Sequence, residues 1–213
     1  MAPFRDATGH HLPLLCLQNC TSALNEVARG YGMPHEELAR LAADEPPGCG
    51  GLTFLPYVSG ERTPNWPHAT GALLGVSPGL LRPGAVYRAA LEGVTFALLA
   101  GYDRMRELGV DAKELRLVGG GSSNKLWRQI IADAFQLPLR FPAEPESAAL
   151  GAALQAAAAF ASTASAHNES AATQTASEDG TAFVPNGGML TKLFHLFTIW
   201  PFIQIFQPLH AFL

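Results

Sequence analysis

The stretch LRLVGGGSSNKLWRQIIADAFQLPLRF, residues 115–141, decides the fold class. It begins with a short apolar run at 115–119, which predicts a strand, and glycines follow directly. Residues 124–135 have the spacing of a helix that buries one face, and 137–141 form a second apolar run. A strand, a helix and a strand in such short order predict parallel strands with helices packed on them, and therefore an α/β fold.

The N-terminal segments predict a strand and then a helix. The apolar run Leu12–Leu17 is typical of a buried strand. We expect a helix after it, with Asn19 or Thr21 as its N-cap and with Gly30 and Gly32 at its end.

The remaining segments continue the alternation. Pro34 opens a second helix, 51–57 is an apolar run of strand length, and 147–160 is an Ala-rich helix. The longest predicted element is a helix from Pro83 to Leu108. Its expected buried face consists of Val86, Ala90, Val94, Ala97, Gly101, Met105 and Leu108.

Composition excludes several classes of protein. The chain has 213 residues, of which 48% are hydrophobic and 15% charged, so it can bury a core and is not disordered as a whole. A net charge of −4 without a Lys/Arg cluster argues against binding to nucleic acid. Three cysteines suit neither a disulfide framework nor a zinc site, so we expect a reduced, cytoplasmic location. The histidines show no metal-ligand spacing, and no metal site is predicted.

Three regions differ in composition. Residues 1–160 are predicted to be globular, 161–181 form an Ala/Ser/Thr-rich linker expected to be disordered, and 182–213 are an apolar tail. Leu193–Leu213 has 21 residues without a formal charge, and a helix needs ~20 residues to cross a bilayer. Its prolines and glutamines, and the absence of a flanking basic cluster, argue against a membrane anchor.

The glycine turn after residue 118 is the first candidate site. Glycines let the backbone approach a ligand closely, and N–H groups at a helix start favour phosphate or ribose oxygens. The turn is not a P-loop, because Gly-Lys-Ser/Thr is missing. It also departs from the dinucleotide fingerprint, because Asn124 stands at the third glycine position. Glu144 is the acidic residue that a nicotinamide-dependent enzyme would require, and this alternative stays open.

Two further features carry charge. In the loop Ser59–Pro64, Glu61 and Arg62 form either a clamp for a polar ligand or a local ion pair. Glu92 lies inside an apolar helix, where it should either find a hydrogen-bond donor or mark a site. We place neither Glu61 nor Asp103 beside a substrate hydroxyl.

Four ordered segments resemble the C-terminal lobe of the FGGY carbohydrate kinases, and most closely the xylulokinase branch. They are GLTFLPYVSGERTP (51–64), GALLGVSPGLLRPGAVYRAALEGVTFAL (71–98), LRLVGGGSSNKLWRQIIADAFQLPL (115–139) and ESAALGAALQAA (146–157). SGERTP is typical of xylulokinases. The resemblance implies two actin-like lobes with a ribonuclease H-like fold and a cleft between them, of which residues 1–160 are the C-terminal lobe.

The resemblance also implies a function. The family transfers phosphate from ATP, with Mg²⁺, to a sugar. For this chain the expected sugar is a ketopentose, D-xylulose, which is converted to D-xylulose 5-phosphate. The adenosine end of ATP is expected on Gly119, Gly120, Gly121 and Ser122, with Asn124 nearby and Thr21 and Asn25 as further nucleotide contacts. Glu61 and Arg62 are expected in the cleft.

The catalytic machinery is expected elsewhere. By resemblance, the general-base Asp and the sugar contacts belong to an N-terminal lobe upstream of this chain, so no catalytic residue is assigned here. We therefore expect a truncated nucleotide-binding lobe that is inactive without that partner lobe. A non-catalytic binding or interaction module derived from half a sugar kinase is the alternative.

Overall fold

The computed structural model of the chain describes residues 2–5, 10–142 and 147–165. The strands are β1 (Ala2–Arg5), β2 (His11–Leu14), β3 (Thr53–Leu55), β4 (Ala72–Leu74), β5 (Leu115–Arg116) and β6 (Leu139–Arg140). The helices are α1 (Thr21–Tyr31), α2 (His35–Ala43), α3 (Pro83–Glu107), α4 (Lys125–Phe135) and α5 (Ser147–Ser165). Short 3₁₀ turns lie at Cys49–Gly51 and Gly120–Ser123.

The strands pair in twos. β5 and β6 are parallel, with Leu115 opposite Leu139, and α4 connects them, which confirms the predicted strand–helix–strand unit. β1 pairs with β2, and β3 pairs with β4, both antiparallel. The first expected strand was wrong in one respect, because Leu12 and Leu14 of β2 are exposed. An apolar run indicates a strand, but it does not show whether another layer covers it.

α3 lies at the centre of the core. It packs against α1, α2, α4 and β3, and every residue from Gly84 to Ala97 is buried. The single buried face predicted from the sequence was therefore wrong, because a helix with neighbours on several sides buries its whole circumference. At Gly93 the helix approaches β3 so closely that an added Cβ would lie 2.1 Å from the carbonyl oxygen of Phe54. Only glycine fits at this crossing.

An ion pair is buried within α3. The Arg88 Nε donates to Glu92 at 2.8 Å, and the Gly48 N–H donates to both carboxylate oxygens at 3.1 Å. Burial raises the pKa of Glu92, and the hydrogen bonds from Arg88 and Gly48 oppose that shift. Glu92 therefore finds donors within the fold, and it joins the segment before β3 to the central helix.

The ends of two helices depart from expectation. α1 has Cys20 at its N-cap position and no side-chain cap, so neither Asn19 nor Thr21 caps it. The Asn19 side chain is engaged by the neighbouring loop instead. Gly32 ends α1 in the left-handed conformation, as predicted. α5 continues to Ser165 instead of ending at 160. The rest of the proposed linker and the tail, 166–213, lie outside the described residues.

Candidate functional site

The glycine turn follows β5 and leads into α4. Gly119 has φ 85° and ψ 175°, a conformation that is essentially restricted to glycine. A Cβ added to Gly121 would lie 2.5 Å from the Trp127 ring, so the turn rests directly on this buried indole. A Cβ added to Gly119 or Gly120 would meet no atom within 4 Å. One side of the turn is therefore packed, and the other side is open.

Side chains of α4 hold the turn in place. The Asn124 Oδ1 accepts from the Trp127 N–H at 3.1 Å and caps the helix. The Trp127 Nε1 donates to the Thr95 hydroxyl of α3 at 2.9 Å. The Arg128 Nε donates to the Ser122 carbonyl, and its guanidinium lies over the Phe141 ring at 4.0 Å. The shape of the turn is thus fixed from the core side.

The structure brings the other predicted nucleotide residues to the same region. The Thr21 methyl group lies 3.5 Å from the position of a Cβ on Gly121, so α1 begins beside the turn. The Asn25 Oδ1 hydrogen-bonds to His35 Nε2 at 2.9 Å, and His35 Nδ1 to the Tyr87 hydroxyl at 2.9 Å. These two bonds connect α1, α2 and α3 beside the site.

The pKa of Tyr87 reflects this arrangement. Burial, the larger effect, raises the pKa of Tyr87, and the nearby Asn124 side chain opposes that shift. The phenol is 1% exposed and stays protonated at neutral pH. Sequence inspection missed Tyr87 and His35, since a tyrosine in an apolar helix and a lone histidine give no local signal of a shared network.

In the loop that begins at Ser59, Glu61 and Arg62 form neither a ligand clamp nor a local ion pair. Glu61 is 3% exposed and makes no ion pair with Arg62 among the described residues. Its carboxylate accepts from five N–H groups: the backbone N–H groups of Gln18, Asn19, Arg62 and Thr63, and the Asn19 side-chain amide. Glu61 therefore holds the loop against the segment before α1. It is not free to clamp a ligand.

Arg62 remains the exposed cation of this loop. Its Nη1 lies 3.6 Å from the Cys16 sulfur, and it borders a shallow cavity of about 280 Å³. That cavity is lined by Gln18, Ser59, Gly60, Glu61, Arg62, Asn65 and Pro67.

Asn19 is the residue that sequence reasoning assigned incorrectly. It is completely buried, its Nδ2 donates to the Gly60 carbonyl, and its Oδ1 accepts from Ser59. Asn19 thus binds the loop, while Thr21, two residues later, lies beside the glycine turn. The start of α1 joins the two candidate regions.

The remaining polar candidates do not form a second site. In the parts of the chain that the structure describes, no group of three His, Cys, Asp or Glu side chains is placed to hold a metal ion. Asp103 pairs with Arg106 on the exposed surface of α3, and all three cysteines are free. Glu144 lies outside the described residues. Among the described helices, none is long and apolar enough to cross a membrane.

Comparison with known proteins decides the family. The model of the C-terminal domain of the FGGY family of carbohydrate kinases matches residues 5–160. The chain belongs to this family. The FGGY chain is 36% identical over 156 residues to the xylulose kinase of Haemophilus influenzae, covering 73% of this chain and 32% of that protein. It is 37% identical over 158 residues to the xylulose kinase of Streptomyces coelicolor, covering 74% of this chain and 31% of that protein.

Solved structures agree. The crystal structure of xylulose kinase from Bifidobacterium adolescentis superposes with a TM-score of 0.72 at 29% identity, over 92% of this chain and 38% of that chain. The predicted α/β fold, the C-terminal lobe of an actin-like FGGY kinase, is confirmed. The chain spans about a third of the length of the curated relatives that it matches.

Proposed function

We propose that this FGGY chain is the nucleotide-binding lobe of an ATP-dependent sugar kinase that converts D-xylulose to D-xylulose 5-phosphate in the cytoplasm. The observation that carries the proposal is the turn Gly119–Gly121, which is packed on Trp127 on one side and open on the other. Xylulose kinases among its relatives support a ketopentose as the substrate.

The turn suits the adenosine end of ATP. Backbone N–H groups near a helix start favour phosphate and ribose oxygens, and the open side at Gly120 lets a ligand approach the main chain. We assign Gly119, Gly120, Gly121 and Ser122 to this contact. Thr21 and Asn25 border the same region from α1, with Asn124 at the start of α4.

Arg62 is the residue of this lobe proposed to face the cleft. Its exposed guanidinium offers positive charge to the phosphates, whereas Glu61 fixes the loop that carries it. Phosphoryl transfer depends on positioning and on charge stabilisation around the transferred group. Mg²⁺ bound with ATP would neutralise charge on the phosphates. Among the described residues, no group of three His, Cys, Asp or Glu side chains is placed to hold it.

We assign no general base to the described residues. The Glu61 and Glu92 carboxylates are buried and already accept several hydrogen bonds, and Asp103 pairs with Arg106 at the surface. A group that takes the sugar hydroxyl proton must be able to reach that hydroxyl. The proposal therefore includes an N-terminal kinase lobe that supplies this base and the sugar contacts.

Titration of the purified chain with AMP and ATP tests nucleotide binding. We expect dissociation constants of about 1 mM for both, since one lobe leaves the outer phosphates in water. Gly120→Val should abolish binding, because the valine would fill the open side of the turn. Gly30→Val is the matched control, since a Cβ there also meets no atom within 4 Å but lies near the far end of α1.

An activity assay tests the second part of the proposal. The chain alone should show no phosphorylation of D-xylulose, and adding an N-terminal lobe from a homologous xylulose kinase should restore it. Turnover by the chain alone would contradict the proposal. Nucleotide binding without turnover in the restored enzyme would favour the non-catalytic module.

A further inference from the structure

Three side chains from three helices form a chain of hydrogen bonds beside the proposed site. Asn25 of α1 bonds to His35 of α2, and His35 bonds to Tyr87 of α3. Both bonds are 2.9 Å long. Asn25 is a proposed nucleotide contact, whereas His35 and Tyr87 have no assigned role.

The direction of these bonds is set at the Tyr87 end. The phenol is 1% exposed, so its proton needs an acceptor within the protein. His35 Nδ1, at 2.9 Å from the hydroxyl oxygen, supplies that acceptor.

The same direction continues through His35 to the surface. A neutral imidazole that accepts at Nδ1 carries its proton on Nε2. His35 Nε2 then donates to Asn25 Oδ1, and the Asn25 amide nitrogen is left to point away from His35. The buried Tyr87 hydroxyl thereby fixes the orientation of an amide in α1.

Burial of Tyr87 enforces this direction, whereas His35 is exposed. The phenol is 1% exposed, so water cannot take the place of His35 as its partner. A buried polar group without a partner is costly, which makes the reversed arrangement unfavourable. Asn25 is exposed and lies one helical turn after Thr21, which borders the glycine turn.

We propose that His35 and Tyr87 are positioning residues that hold Asn25 as a hydrogen-bond donor toward an acceptor on the nucleoside, such as a ring nitrogen of adenine. This inference rests on the proposed nucleotide-binding function. His35 and Tyr87 act through Asn25, and neither needs to touch the ligand.

The first test needs no ligand. NMR of the ¹⁵N-histidine-labelled 213-residue chain reports which ring nitrogen carries the proton, and the signal that disappears in His35→Gln assigns His35. We expect the Nε2–H form in the wild type, and a loss of this fixed form in Tyr87→Phe. The Nδ1–H form in the wild type, or an unchanged form in Tyr87→Phe, would overturn the inference.

The second test measures adenosine affinity, because an uncharged ligand avoids repulsion from an introduced carboxylate. Asn25→Asp keeps an acceptor for His35 but removes the outward donor, and we expect affinity to fall about fivefold, the order of one lost hydrogen bond. Asn25→Ala should lose about as much. Wild-type affinity in Asn25→Asp would overturn the inference.

A double-mutant cycle separates positioning from general destabilisation. Tyr87→Phe should weaken adenosine binding about threefold in the wild type and hardly at all when Asn25 is already alanine. Equal effects in both backgrounds would show that Tyr87 acts only through the fold. Circular dichroism melting confirms that each variant is folded at the titration temperature. If the wild type binds no adenine compound, the proposed function and the positioning role both fail, and the NMR result still reports the hydrogen-bond direction.

Discussion

Replacement of Glu61 by glutamine tests whether this carboxylate is a buried anchor or a surface clamp. One oxygen accepts from the backbone N–H groups of Gln18, Arg62 and Thr63, and the other from the backbone and side chain of Asn19. The glutamine NH₂ must replace one oxygen, and it faces at least two donors in either orientation. Hydrogen bonds to charged groups contribute about 1.5–3 kcal/mol each. Losing the two bonds from Asn19, at 3.3 and 3.2 Å, should therefore cost about 3 kcal/mol.

Denaturant unfolding followed by circular dichroism measures this loss as a shift of the midpoint at constant slope. Arg62→Ala is the matched control on the neighbouring residue, and we expect it to change the free energy of unfolding by less than ~0.5 kcal/mol. A Glu61→Gln variant as stable as the wild type would refute the anchor. A comparable loss in Arg62→Ala would show that an ion pair supports the loop.

Three other expectations concern the core and its thiols. Burial raises the pKa of Glu92 above its ordinary value of 4.5. The protonated form therefore adds stability that is fully present below pH ~4.5 and is lost as pH rises through the folded-state pKa. Urea unfolding at several pH values should show that the wild type gains stability on acidification relative to Glu92→Gln. Gly93→Ala places a Cβ 2.1 Å from the Phe54 carbonyl oxygen and should lower stability by about 1–3 kcal/mol in thermal melts, so an unchanged melting temperature would contradict this crossing. Burial raises the pKa of Cys49 to about 12, so a thiol reagent at neutral pH should modify the exposed Cys16 and leave Cys49 unreacted, as peptide mapping would show.

Local patterns predicted most of the regular structure. The unit that runs from β5 through α4 to β6 is short, and its apolar spacing, glycine turn and helix cap are all local features. The extent of α3 followed from Pro83 and from an uninterrupted helical sequence. Long-range packing could not be predicted from these local patterns, because the number of neighbours around α3 depends on segments far away in sequence.

The candidate site divides in the same way. The glycine turn and Asn124 were visible as a pattern, because backbone conformation and capping depend on adjacent residues. The roles of Asn19, Glu61 and Tyr87 depend on partners between 40 and 52 residues away in sequence, such as Ser59 for Asn19 and His35 for Tyr87. A single sequence contains no signal for such pairings, so Glu61 was expected at the surface and Tyr87 received no role.

The position of α3 within the chain has a consequence for synthesis on the ribosome. Its covering elements α1, α2 and β3 precede it, whereas α4 follows it. When α3 first leaves the exit tunnel, α4 is still inside it, so the surface around Thr95 has no Trp127 to cover it until α4 emerges as well. This interval is when a nascent chain is open to chaperone binding or to aggregation. Synonymous codons that slow translation after α3 has emerged and before α4 has done so would lengthen it without changing the folded protein.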